Sequence, residues 1–172
     1  MENVLLPLVR ENIIFLDSKS IDVNQCNLED ARKFFGVEQK REVLSKNKRG
    51  VAERLIFEHH NFDRIEAAML TNEVAGQLIC GFEFFFHEVI LLRELLPVYG
   101  EPELVKIRFP DGMAVYAIWS INLAAEILKD GSIKSLEFCN EKHLKECECN
   151  FCVTVKKTSA HLRPGKEKIV LQ

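Results

Sequence analysis

Between Val74 and Leu96 the chain is apolar almost throughout, and this run restricts the possible folds more than any other feature. It fails as a membrane span. Glu83, His87, Glu88, Arg93 and Glu94 lie inside it, and charges in that number are too costly at bilayer depth. Its length instead predicts a helix capped by Thr71 or Asn72. Val74, Leu78, Ile79, Phe82, Phe85, Phe86, Val89 and Ile90 do not fit one narrow helical stripe, so such a helix is the central element of a core. Gly76 and Gly81, unfavourable inside a helix, then mark the close approach of a neighbouring backbone.

The flanking segments extend this picture. Val4-Leu5-Leu6 and Ile13-Ile14-Phe15-Leu16 are read as one or two short strands, split by Pro7 and Arg10-Glu11-Asn12. Asn27 is a good N-cap for a short helix from Leu28 to Phe35, with Asp30 in its first turn and Gly36 placed to end it. From Val51 onward, apolar residues at 51, 55, 56, 62, 65, 69 and 70 keep a helical period. Pro97 closes the helical part. Leu104 to Phe109 then alternates with period two, Pro110-Asp111-Gly112 supplies a turn, and Met113 to Trp119 returns, which predicts a β-hairpin. A short helix over Ile121–Lys129 and strands at 133–138, 151–155 and 169–171 complete the reading.

These elements predict an α+β fold, in which a helical N-terminal half packs against a small antiparallel sheet in the C-terminal half. The 172 residues form one domain, helical over about 27–96 and sheet-forming over about 104–172, with no internal repeat and no long linker. With 47% hydrophobic residues the chain is long enough to bury a core without disulfides or metal, and it is neither collagen-like nor of disordered composition. Glu2 and the short, Pro-broken apolar stretch that follows do not read as a signal peptide, so a cytoplasmic location is expected.

Six cysteines in such a chain favour free thiols or metal ligands over a disulfide framework. Four of them crowd one stretch with a histidine. Cys139, His143, Cys147, Cys149 and Cys152 fall within fourteen residues, close enough to supply the tetrahedral ligands of a structural zinc at little cost in chain entropy. Cys149-x2-Cys152 is a standard half-site, and His143-x3-Cys147 completes it if that stretch turns helically. One ligand is in surplus, however, and all crowd a single loop. The competing reading makes Cys139 and Cys152 small inward-facing hydrophobes beside a solvated loop, and redox or disulfide chemistry is the third. No H-x-E with P-C-x-x-C arrangement is present, which argues against a catalytic zinc.

Two other patterns bear on function. His59 and Asp63, and Glu83 and His87, are each four apart, a spacing that shares a face if both segments are helical. His59, His60, Asp63 and His87 form the candidate set for a metal-dependent enzyme, although the Glu83-x3-His87 spacing departs from the Glu-x-x-His of di-iron bundles, and an ordinary polar helix face is the simpler explanation. No nucleophile elbow, HExxH, P-loop or dinucleotide fingerprint occurs. Charge, meanwhile, is unevenly distributed. Residues 32–54 are rich in Lys and Arg, residues 58–103 are acidic, and the tail from Lys156 is basic again, behind a formal net charge of only -3.

The expectation from the sequence is therefore a non-catalytic interaction or regulatory protein, inhibitor-like or immunity-like, that binds a protein partner through an acidic helical face. A zinc in the C-terminal loop is the one cofactor anticipated, and no membrane association is. The alternative is a nucleic-acid-binding regulator using Lys46, Lys48, Arg49, Lys156 and Lys157.

Overall fold

The computed structural model describes residues 6–74, 76–109, 112–120 and 123–140. Three short strands, β1 (Leu8–Arg10), β2 (Ile13–Leu16) and β3 (Lys19–Asp22), form a small antiparallel sheet. A single helical turn leads to α1 (Leu28–Phe35). Four strands follow as a meander: β4 (Lys40–Asn47), β5 (Gly50–His59), β6 (Phe62–Asn72) and β7 (Gly76–Phe85). After α2 (Leu92–Tyr99) a second meander runs through β8 (Glu103–Phe109), β9 (Gly112–Ser120), β10 (Leu123–Ile127) and β11 (Ile133–Cys139). The two meanders join into one eight-stranded antiparallel sheet of order β4-β5-β6-β7-β11-β10-β9-β8.

The fold is thus mainly β, and the expected α+β architecture with a helical first half is wrong. Where helices were predicted over 51–70 and 72–96 stand β5, β6 and β7, with α2 only eight residues long and Pro97 inside it. The predicted helix over 121–129 is strand β10. Central strands covered on both faces lose the alternation that marks a half-exposed strand. Ala67 to Leu70 and Ile79 to Phe82 are consecutive buried residues of this kind. Strand β2, α1, the 104–119 hairpin strands and the strand at 133 are where the sequence placed them, whereas β1 covers 8–10 rather than 4–6 and β3 stands where a polar loop was expected over 17–25. The predicted strands at 151–155 and 169–171 lie outside the described residues.

Each meander is preceded by an eight-residue helix, and the two αβ4 units are built alike. In α1 the Asn27 side chain accepts from the Asp30 amide at 2.9 Å while Asp30 accepts from the Asn27 amide at 3.1 Å. In α2 Glu94 accepts from the amide of Leu91 at 2.7 Å. Both helices end on a glycine of positive φ, Gly36 (93°) and Gly100 (84°), whose amide closes the last turn at 2.8 Å on Arg32 O and Leu96 O. The residue before each N-cap is tied to the last strand of its own unit: Cys26 O accepts from Ile79 N at 2.9 Å, and Ile90 O from Ile133 N at 2.7 Å. The absence of an internal repeat, expected from the sequence, does not hold for the topology. The strand order and the β7–β11 register are those of a pseudo-two-fold repeat about the junction of the two strands.

One face of the large sheet carries the core. Phe57, Phe62, Phe82, Phe84 and Phe138 are fully buried there, joined by Leu28, Ala31, Phe34 and Phe35 of α1, Leu95 of α2, and Ile14, Leu16 and Ile21 of the small sheet. Phe35 packs its ring 5.2 Å from Phe82 and 5.6 Å from Phe57, which fixes α1 against the sheet. The two helices and the small sheet therefore contribute to one apolar cluster on a single side. On the other side the strands present charged residues and a separate small apolar cluster, Tyr116, Ile118 and Ala124.

Candidate functional site

Residues directly opposite on antiparallel strands share a face. The register Ile56–Glu66–Glu83–Glu137–Ala124 therefore sets a row of side chains across five strands on the side away from the core. In the neighbouring rows Arg54 and Arg64 flank Glu66, with Nε at 3.3 Å and 2.8 Å from its two oxygens. The Arg64 guanidinium also lies 3.6 Å over the Phe85 ring. On β10 and β11, Glu126 pairs with Lys134 at 2.9 Å. The result is a ladder of alternating charge around two central glutamates.

Those two are the least ordinary groups among the described residues. Glu137 is 5% exposed, and its Oε2 is buried without a hydrogen-bond partner among the described residues. Burial, together with the charges of Glu83 and Glu126, pushes its carboxyl well above the usual carboxylate range. Glu83 accepts from the Ser135 hydroxyl at 2.7 Å and is also raised, by burial and by the charge of Glu66. Sequence reasoning named Glu83 for its spacing to His87 and passed over Glu137. The signal was present as one pattern written twice, Phe82-Glu83-Phe84 and Leu136-Glu137-Phe138, a glutamate between two core residues at the centre of each unit's last strand.

Among the described residues, those that the sequence did single out form no single site. Cys139 ends β11 opposite Gly81, fully buried, with its Sγ 3.9 Å from Asn140 O. His143, Cys147, Cys149, Cys152, Lys156 and Lys157 lie outside the described residues. Among the described residues no group of three or more His, Cys, Asp or Glu is arranged to hold a metal, so the zinc expectation is not carried forward. Cys26 is an interior thiol pushed up to about 12 by burial and the nearby Asp30 and Asp22, the opposite of an activated nucleophile.

The helical pairing proposed for the histidines is overturned because their segments are strands. His59 ends β5 and Asp63 lies in β6, across a tight turn. His59 Nδ1 accepts from the Asn61 amide at 3.2 Å, and its Nε2 is 3.7 Å from Asp17, too long for a hydrogen bond. Its ring stacks on His60 at 4.5 Å, and burial lowers its affinity for a proton. Asp17 holds its place with a positive φ of 55° at the β2–β3 turn, beside an open groove of about 440 Å³ that also receives Lys19 and Lys33. His87 instead approaches Asp63, at 4.0 Å, with both side chains more than half exposed.

The segregated charges are largely spent within the fold. Of the basic segment 32–54, Arg32 grips Glu38 through two hydrogen bonds of 2.6 Å and 2.8 Å, Arg41 pairs with Glu53, Lys40 with Glu42, and Arg54 with Glu42 and Glu66. Lys46, Lys48 and Arg49 stand exposed at the tip of the β4–β5 hairpin. The acidic segment 58–103 makes no single helical face: Glu66 and Glu83 sit on the sheet, Glu94 caps α2, and Glu73 lies in the β6–β7 turn. Among the described residues no helix is long and apolar enough to cross a membrane. No known family model, curated protein or solved structure matches the chain.

Proposed function

We propose that the protein is a non-catalytic binding module that takes an extended, acidic segment of a protein partner onto the free edge of β4. One observation carries this reading. Among the described residues β4 pairs with β5 alone, and the strand leaves Val43 65% and Leu44 36% exposed between the exposed Lys40 and the basic hairpin tip Lys46, Lys48, Arg49. An open edge offers main-chain hydrogen bonds to an added strand, while alternate side chains give selectivity. Lysines and the irregular register between Val43 and Ser45 oppose edge-to-edge pairing of two like copies, yet the same positive charge favours an acidic strand.

Nucleic acid is the competing acidic ligand, and the exposed aliphatics beside an open backbone edge favour peptide over it. Fluorescence anisotropy with a labelled peptide of alternating Glu and Val, and in parallel with a single-stranded oligonucleotide, separates the two. The expected result is saturable, salt-weakened binding of the peptide, abolished by Lys46→Glu with Lys48→Glu and reduced by Val43→Asp. Tighter binding of the oligonucleotide, insensitive to Val43→Asp, replaces the peptide reading with the nucleic-acid one. Binding of neither ligand overturns both.

A further inference from the structure

The seam between the two αβ4 units carries a feature that edge binding does not use. Four consecutive pairs, Cys139–Gly81, Phe138–Phe82, Glu137–Glu83 and Leu136–Phe84, join β11 to β7. The Asn140 amide donates to Cys80 O at 2.8 Å, and stepping along the register two residues at a time makes Phe138–Phe82 and Leu136–Phe84 hydrogen-bonded pairs. Glu137–Glu83 therefore falls between them as a non-hydrogen-bonded pair. Such pairs bring their Cα atoms to about 4.5 Å and their side chains closest together. The two glutamates are also equivalent under the pseudo-two-fold, since Ile79 and Ile133 occupy matching positions and each glutamate lies four residues further on.

Two carboxylates cannot both ionise cheaply at this separation away from water, and like charges directly opposed destabilise a strand pair. The surroundings distinguish them. Glu83 has the Ser135 hydroxyl as a donor, as an ionised carboxylate requires. Glu137 has a buried oxygen with no donor, which an ionised carboxylate would leave badly solvated and a protonated one would turn into a donor. The other titratable groups bearing on the pair are Glu66 from β6, Glu126 from β10, and Lys134 and Cys139 from β11. Of these only Lys134 is cationic, and it is already engaged by Glu126.

We propose that Glu83 and Glu137 form a proton-sharing carboxyl pair, a single-proton site at the seam, with Glu137 holding the proton, and that its loss loosens the junction of the two units. The sign follows from linkage. The folded chain keeps a proton that the unfolded chain releases near pH 4.5, so this pair's contribution falls as pH rises from there through the folded titration. Thermal unfolding from pH 5 to pH 8 for the full chain and for Glu137→Gln, Glu83→Gln and the double variant tests it. Subtracting the wild-type Tm from that of each variant removes the contribution of all other groups.

The expected result is that this difference rises with pH by at least about 3 °C for each single variant, the size of a one-unit linkage in a chain of this length. The double variant should gain less than the sum, because either substitution alone removes the repulsion. A difference independent of pH in the single variants overturns the proposal, and so does strict additivity, which means two groups titrating independently. Should Glu137→Gln not fold, Glu83→Gln and a ¹³C-carboxyl titration of the wild-type protein decide alone. Two carboxyl carbons following the same two-step titration support a shared proton, and two ordinary single-step titrations near pH 4.5 exclude it.

Discussion

Gly50 opens β5 at a φ of 133°, where a side chain would point into the neighbouring strand. A Cβ built there falls 2.2 Å from the carbonyl oxygen of Thr71 and 3.0 Å from its carbonyl carbon. Thr71 pairs with Val51 in the β5–β6 ladder, so the obstacle is backbone, and no side-chain rotation relieves it. Gly50→Ala therefore carries two costs, about 1–3 kcal/mol for a backbone conformation that L side chains avoid and about 1–3 kcal/mol for forcing strands apart. Gly36→Ala separates them, because Gly36 has φ 93° and a Cβ added to it would meet nothing within 4 Å. Urea unfolding followed by Trp119, the single tryptophan, whose Nε1 donates to Gly100 O at 2.7 Å, reports both variants. Gly50→Ala should lose at least about 1 kcal/mol more than Gly36→Ala, with an unchanged m-value. Equal losses would refute the steric argument and with it the close approach of β5 to β6 at that end.

Substitutions at two further positions test the electrostatics of the fold. Glu38 is nearly buried and its carboxyl is held below the usual range, first by its hydrogen bonds to Arg32, so its stabilisation is present above about pH 4.5 and lost as pH falls through the folded titration. Arg32→Ala should lower the urea midpoint at pH 7 and flatten that acid-side loss, and Arg32→Lys should restore only part of it, since a lysine lacks the bidentate fork. His59 is kept neutral chiefly by burial, so its contribution is present above about pH 6.5 and declines as pH falls. His59→Gln should remove stability at pH 7.5 and leave a weaker dependence between pH 6.5 and pH 5, read from Tm against pH. This window runs opposite to that of the seam glutamates, so the two effects are separable.

What the sequence revealed was local. The Asn27, Asp30 and Gly36 of α1 signal a helix by contacts that span only a few residues, and the alternation of Leu104 to Phe109 belongs to strands near an edge of the sheet. The long apolar stretches failed because periodicity cannot distinguish a helix covered all round from a strand covered on both faces. The distinguishing signs were the turns His60-Asn61 and Glu73-Val74, and the β-forming aromatics Phe82, Phe84 and Phe85, which outweigh length as a guide here. Once 51–70 became two strands, every spacing argument built on helical faces lost its basis, including the His59–Asp63 and Glu83–His87 pairs. The repeat was invisible for another reason. It resides in backbone hydrogen bonds and in two matched glycines, Gly36 and Gly100, with little side-chain identity to betray it. The glutamate pair left only a trace in the chain, two Φ-Glu-Φ triplets far apart that acquire meaning when a register sets them face to face.

The junction of β7 with β11 is the claim on which both the architecture and the proton site depend. In a non-hydrogen-bonded antiparallel pair the two Hα protons are the closest interstrand hydrogens, so a NOESY spectrum of labelled protein addresses the seam directly. A strong Hα–Hα cross-peak between Glu83 and Glu137 is the predicted result. Its absence, with the cross-peaks of the β5–β6 and β8–β9 hairpins present, would contradict the joined sheet and remove the pair from the seam.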